Sequence, residues 1–296
     1  MKRENIYILE DRGIIYINGL DVFEYLQNII SNDLKKVTDT QSCFSYLLTP
    51  QGKYLFEFII IKHKSGYFLD CPKYQIEDLY KQLTLYKLRS SVDITNLSNE
   101  FAVAALSKDK FFEIENTDNK TGITIKFVED PVYLDPRCTD LGARIVINLE
   151  KLNLSVKKLN LKISDINEYN QLSHSLGIPN SDTKNFQNKI FGLETNSEEL
   201  NAIDFKKGCY VGQENTARIK LKNKLSKRLL PIEIIDGQLS EDETIYNNDI
   251  EIGKVLIDKN YPFALIKYLD KNFDKNQVFK GKTCSFKVFI PDWLKI

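Results

Sequence analysis

The chain has 296 residues, 42% of them hydrophobic, which is enough for two or three compact units with cores of their own. Its 41 Lys+Arg balance 41 Asp+Glu, so no global field draws it to nucleic acid or to an anionic membrane. No apolar run approaches the ~20 residues that span a bilayer, residues 1–5 lead into no signal-peptide core, and a soluble, cytoplasmic protein is expected.

Residues 6–9 and 14–17 read as short strands around the turn Asp11-Arg12-Gly13. In 21–30 the apolar positions 22, 23, 26, 29 and 30 follow helical spacing. Residues 43–48 and 54–61 read as strands joined at Thr49-Pro50-Gln51-Gly52-Lys53. Ile76, Leu79, Tyr80, Leu83 and Tyr86 mark a second helix. Strand character returns at 92–94, 101–106, 122–127 and 144–149. An amphipathic helix over 165–176 closes at Gly177, with Pro179 beyond it. After residue 225 short strands at 229–235, 244–246, 250–257, 263–268 and 284–290 alternate with Gly, Asn and Asp, which predicts a small antiparallel barrel or sandwich. The stretch 219–228 carries five cations and no acid. It reads as a solvated linker, and two units are expected, 1–222 and 223–296.

Five widely spaced cysteines, Cys43, Cys71, Cys138, Cys209 and Cys284, form no Cys-x-x-Cys pair, so neither a disulfide framework nor a zinc ribbon is expected. His63 and His174 fit no metalloprotease pattern, and no nucleotide-binding glycine loop or serine-hydrolase elbow occurs.

One stretch does not read as packing. Lys207-Gly208-Cys209-Tyr210-Val211-Gly212-Gln213-Glu214, followed by Thr216-Ala217-Arg218, gathers a thiol, two glycines, a carboxylate, an amide and two cations. A cation or a helix N-terminus beside a cysteine favours the reactive thiolate. A helix opening after Gly212 would set Cys209 near its positive end. The alternative is a glycine turn around a small buried thiol.

This run resembles the signature of the YgfZ folate-binding protein family, whose mitochondrial members are iron–sulfur assembly factors of the CAF17/Iba type. The likeness extends in order through Gly19-Leu20-Asp21, Leu26-Gln27, Ser31-Asn32-Asp33-Leu34 and Thr49-Pro50-Gln51-Gly52-Lys53. It continues through Tyr86-Lys87-Leu88-Arg89-Ser90-Ser91-Val92, Asp135-Pro136-Arg137, Leu141-Gly142-Ala143-Arg144, Gly177-Ile178-Pro179 and Glu194-Thr195-Asn196. The resemblance implies an α+β, aminomethyltransferase-like fold: folate-binding domains around a central cavity, and a C-terminal antiparallel β-barrel. It implies tetrahydrofolate or a derivative as cofactor, no metal held by this chain alone, and a role in assembly, insertion or repair of iron–sulfur clusters. Transient contacts with client or assembly proteins, a monomeric state, and neither membrane nor nucleic acid as direct partner follow from the same likeness.

On the matching positions Cys209 is the candidate reactive thiol, with Lys207 and Glu214 beside it. Arg89, Arg137, Glu57, Tyr210, Gln213, Gly208 and Gly212 are the candidate folate contacts. Arginine forks suit the carboxylates of a folate tail; their alternative, for Arg144 as well, is an ion pair with Asp135 or Asp140. Cys209 has three open roles: attack on a one-carbon unit, a transient bond to a cluster or sulfur carrier, or a structural thiol. The chain departs from glycine-cleavage transferases, with Phe56-Glu57 where they have paired aspartates and Ser175-Leu176-Gly177 where they have Glu-Ala-Gly. Ser173 replaces a frequent arginine and Asn28 a frequent glycine. A tetrahydrofolate-dependent aminomethyl transferase, including a role in tRNA modification, is the alternative activity.

Overall fold

The computed structural model describes residues 1–222, 225–247, 249–271, 273–274 and 276–295. In chain order come strands β1 (Asn5–Ile8) and β2 (Arg12–Asn18), helix α1 (Val22–Ile29), β3 (Cys43–Leu48), β4 (Tyr54–His63), β5 (Gly66–Pro72) and α2 (Ile76–Lys87). Then follow β6 (Asp93–Asn96), β7 (Phe101–Leu106), α3 (Lys108–Ile114), β8 (Thr124–Phe127), β9 (Asp130–Leu134), β10 (Ala143–Asn148), α4 (Leu152–Lys158), β11 (Lys162–Ile163) and α5 (Ile166–Ser175). Helix α6 (Gln213–Leu221) precedes β12 (Arg228–Gly237), β13 (Thr244–Asn247), β14 (Ile250–Ile257), β15 (Phe263–Ile266), β16 (Phe279–Lys280) and β17 (Cys284–Val288).

The strands form three sheets. The first runs β11-β1-β7-β10-β9-β8, the second β3-β4-β5-β2-β6, and the third β13-β14-β15-β12-β17-β16. Every pairing in the second and third is antiparallel; β1 with β11 is the parallel pair of the first. In the third sheet the edge strands β13 and β16 come back into contact, which nearly closes it into a barrel. The barrel expected after residue 225 is therefore present, with the addition of β16. The boundary expected at 222/223, and part of the basic stretch 219–228, fall on residues 223 and 224, outside the described residues.

Helix α1 shows why its segment folds as it does. Val22, Tyr25, Leu26 and Ile29 are buried and recur at helical spacing, laying one apolar stripe on the second sheet. Six elements are absent from the sequence reading: β5, β9, β11, β16, α3 and α4. Strand β5 is buried along its whole length, so it lacks the alternation that marks a half-exposed strand. Helices α3 and α4 span seven residues each, too short for a periodicity to develop. The central core takes Tyr7 and Tyr133 from the first sheet, Tyr46 and Phe68 from the second, and Leu229, Phe263 and Leu265 from the third. Among the described residues no helix is long and apolar enough to cross a membrane.

Candidate functional site

The signature segment folds as a loop whose ends are fastened and whose middle is free. Lys207 is buried, and its ammonium donates to the carbonyls of Gln27 (2.7 Å), Ile30 (2.5 Å) and Asn32 (2.9 Å). These carbonyls lie at and just beyond the C-terminus of α1, where helix carbonyls lack internal partners and the dipole favours a cation. Burial pulls this ammonium down to about 8, against the pull of Asp33 and its neighbours. Lys207 also lies over the buried ring of Tyr210, 4.9 Å from its centroid. The next backbone donor, Val211 N, bonds the carbonyl of Asn28. Gly212 then turns with φ +87° against the β3–β4 connection; a Cβ there would lie 2.5 Å from the Thr49 carbonyl. Only glycine fits both the angle and the space.

Between these anchors Gly208 and Cys209 are exposed. Gly208 has nothing within 4 Å of where a Cβ would stand. Helix α6 opens at Gln213 as expected, but Cys209 precedes it by a whole turn of loop. Thr216 returns its hydroxyl to the Gly212 carbonyl (2.8 Å) and steadies the first turn. Glu214 has an 87% exposed side chain and pairs with Arg218 at 3.0 Å on the outer face of α6. Lys207 and Glu214, candidates to assist the thiol, thus serve the fold: one is turned to main-chain carbonyls, the other to its own helix. The buried-thiol alternative for Cys209 is overturned by its exposure. Cys43 and Cys71 are buried, and burial pushes the Cys43 thiol up to about 12; Cys138 and Cys284 are only partly covered.

Of the candidate folate contacts, Gly208, Tyr210, Gly212 and Gln213 lie in the signature segment, and the other three divide between two other places. Arg89 lies exposed at the end of α2. Arg137 and Glu57 are buried in a chain of alternating charge that joins the first and second sheets. Glu57 stands 4.0 Å from Arg12, and Arg12 pairs with Asp70 at 2.6 Å. Asp70 pairs with Arg144 at 2.7 Å, Arg144 meets Asp135 at 3.2 Å, and Asp135 holds Arg137 at 2.8 Å. Tyr133 donates to Asp70 and Arg144 to the Tyr169 hydroxyl. Against the cost of burial, the Arg137 and Arg144 guanidiniums hold Asp135 down to about 2, and Arg12 and Arg144 likewise hold Asp70 below the usual range. Arg137 is therefore engaged by Asp135, through two side-chain bonds, and is not free to clamp a ligand carboxylate. At the loose end, burial raises Glu57 despite Arg12 and Arg137, and its Oε1 has no hydrogen-bond partner.

Sequence reasoning paired Arg137 and Arg144 with Asp135 as an alternative, but did not single out Arg12 or Asp70. The signal was there. Asp70 interrupts the apolar run Tyr67-Phe68-Leu69 before Cys71, and a charge inside a buried strand requires a partner.

Glu57 and Arg137 face a chamber of about 10 Å³, closed by Phe44, Tyr46, Tyr54 and Phe186. That is room for one water. A pterin does not fit between these residues as they stand. On the other side of Phe44 lies an open cleft of about 460 Å³, a size that suits a small-molecule ligand. Lys36, Lys120, Asn32 and Asn201 line it, with no carboxylate among its walls. The ring of Phe44, backed by Arg137 at 5.5 Å, divides cleft from chamber.

No family model matches the chain. Three curated relatives bear the name iron–sulfur cluster assembly factor IBA57, mitochondrial, or its homolog. The one from Dictyostelium discoideum is 28% identical, over 76% of this chain and 61% of its own length. The one from Neurospora crassa is 26% identical, over 77% and 53%. The one from Homo sapiens is 25% identical, over 77% and 66%. The chain thus spans between about half and two thirds of the length of these relatives. Among solved structures, the glycine cleavage system aminomethyltransferase T from Bartonella henselae superposes with a TM-score of 0.76. It covers 98% of this chain and 86% of its own, at 12% identity. The fold is aminomethyltransferase-like, as the resemblance implied.

Proposed function

We propose that the chain is a YgfZ-type accessory protein for the assembly, insertion or repair of iron–sulfur clusters, acting through Cys209. The observation that carries this reading is the contrast within the signature loop: Lys207, Tyr210, Val211 and Gly212 are fastened to the fold, while Gly208 and the thiol of Cys209 are exposed. The names of its sequence relatives supply the cluster.

The chemistry is that of one soft donor. A thiolate binds iron, and a cluster is held by about four such ligands. Among the described residues no group of three or more His, Cys, Asp or Glu stands ready to hold a metal. In this reading Cys209 contributes a single bond and a client or carrier protein contributes the others, so contact is transient. The exposed Gly208 leaves the approach to the thiol open.

Tetrahydrofolate, or a derivative, enters the proposal only as an occupant of the outer cleft, with Lys120 placed to meet a carboxylate beside Lys36, which is itself paired with Asp204 at 2.7 Å; no step runs through it. Calorimetric titration with tetrahydrofolate tests this, and saturable binding lost in Lys36→Ala/Lys120→Ala supports it. The alternative of an aminomethyl transferase, with its tRNA-modifying variant, would need Glu57 at the reacting centre. Glu57 is buried beside a chamber with room for about one water, too small for a substrate with the surrounding rings as they stand. Methylene transfer to a glycine-cleavage carrier protein would reinstate it. The reading keeps the cytoplasm as compartment, whereas the relatives are mitochondrial by name; cell fractionation decides.

The main test is replacement of the gene by Cys209→Ser in a deletion background, reading the activity of an iron–sulfur dehydratase. Activity is expected to fall to the deletion level. Activity equal to that of the wild type sinks the role given to the thiol.

A further inference from the structure

At the opposite end of α1 from Cys209, two loops are stapled together. Asp21 N bonds the carbonyl of Ser91, and the Asp21 carboxylate accepts from Ser91 N at 2.6 Å. Gly19, at φ +123°, packs on the same peptide, where no Cβ would fit. The staple sets Asp21, the chain neighbour of Leu20, in one hollow with the segment Leu88-Arg89-Ser90.

Leu88 ends α2 with φ +46° and ψ −110°. Glycine adopts that conformation freely, whereas any L-residue is strained in it. Packing would account for a strained leucine if its side chain were buried. Here the side chain is 86% exposed. Leu20 is 92% exposed and Leu85, three residues before Leu88 on α2, 66% exposed. The fold thus holds three leucines in water, one of them in an unfavourable backbone conformation. Neighbouring exposed leucines mark a contact surface.

Charge narrows what covers it. The acids of α2 are at its start and are engaged: Glu77 accepts from Asn96, and Asp78 pairs with Lys184. Lys81 in the middle of the helix, Lys87 at its end and Arg89 beyond it have no ion-pair partner among the described residues, and the one acid lining the hollow, Asp21, is turned to Ser91 N. Asp21, Leu88, Arg89 and Ser90 line a shallow hollow of about 750 Å³. A hollow admits a protein side chain, whereas a lipid surface calls for a protruding tip.

We propose that Leu20, Leu85, Leu88 and Arg89 form a docking surface for an acidic protein segment bearing a bulky apolar side chain beside a carboxylate. The apolar group lies on the leucines, and the carboxylate takes the planar fork of Arg89. Such a segment gains from Lys81 and Lys87 along its approach. The surface stands independently of the role given to Cys209.

The test uses the full chain and a panel of fluorescent peptides rich in Glu, Asp and Leu, with controls in which Lys replaces the acids. Fluorescence anisotropy is expected to show saturable binding of acidic members, weakened about tenfold or more by Leu88→Gly and by Arg89→Gln. Leu88→Gly relieves the strain, so its thermal midpoint is expected not to fall; loss of binding then cannot be ascribed to unfolding. Binding unchanged in both variants, or absent from the wild type for every acidic peptide, overturns the proposal. So does co-sedimentation with phosphatidylglycerol–phosphatidylcholine vesicles that the same substitutions abolish, since the surface would then meet a membrane.

Discussion

The interior charge chain and the signature loop use charged residues in opposite ways. Inside, Arg12, Asp70, Arg144, Asp135 and Arg137 pair with one another; the buried atoms of this charge chain left without a hydrogen bond are Glu57 Oε1 and Arg144 Nε, which meets Asp135 as an ion pair alone. In the loop, a single buried cation fastens the backbone so that one cysteine side chain stands clear. The difference teaches that a polar residue in a motif is as often the clamp as the reagent, and that its hydrogen-bond partners decide which.

Substitutions can break this contrast, and their effects on stability should descend in a definite order. Asp70→Asn comes first. It leaves Arg12 and Arg144 buried without their shared anion, and a loss of about 3–5 kcal/mol in urea unfolding is expected. Lys207→Met comes next. Three carbonyls lose a charged donor, at a cost of about 2–3 kcal/mol, and alkylation of Cys209 should change rate because its loop is released.

Glu57→Gln sharpens the picture by having the opposite sign. Burial raises the folded-state carboxyl above its unfolded value. As pH rises past the unfolded value, the unfolded chain releases a proton that the folded chain still holds, so this group costs stability toward neutrality. Glu57→Gln should therefore be more stable than the wild type at neutral pH, and the gain should vanish in acid, where Glu57 is protonated in both states. Denaturant midpoints measured across pH check it; a constant difference would mean that Glu57 is ionised and satisfied. Cys209→Ser comes last, with a change in stability within about 0.5 kcal/mol expected for an exposed site, measured by the same urea unfolding.

Much of this was legible in the residues. The apolar spacing of α1, α2 and α5 sets them within a residue or two of where they lie, and the turn-rich strands after residue 225 announce the barrel. The helix after Gly212 was readable from its polar, helix-compatible run. The partners of charged residues were not readable, because pairing is three-dimensional: Arg12 and Asp70 lie 58 positions apart, and Lys207 meets the carbonyl of Gln27 across 180. Lys207 beside Cys209 in sequence suggested an activated thiol. In space the ammonium is bonded to three main-chain carbonyls at the end of α1, where orphan carbonyls attract a cation. The closure of the Glu57 chamber was equally hidden, since it depends on four aromatic rings from β3, β4 and a distant loop.

That long reach of Lys207 has a consequence for the order of events in the cell. The carbonyls that receive it exist in position only once α1 has formed on the second sheet, and that sheet is built from the first third of the chain. A ribosome delivers this N-terminal platform long before it delivers residue 209. The thiol therefore takes its fixed pose only on a chain whose opening third has already folded, and a truncated or unravelled copy has nothing to hold it there.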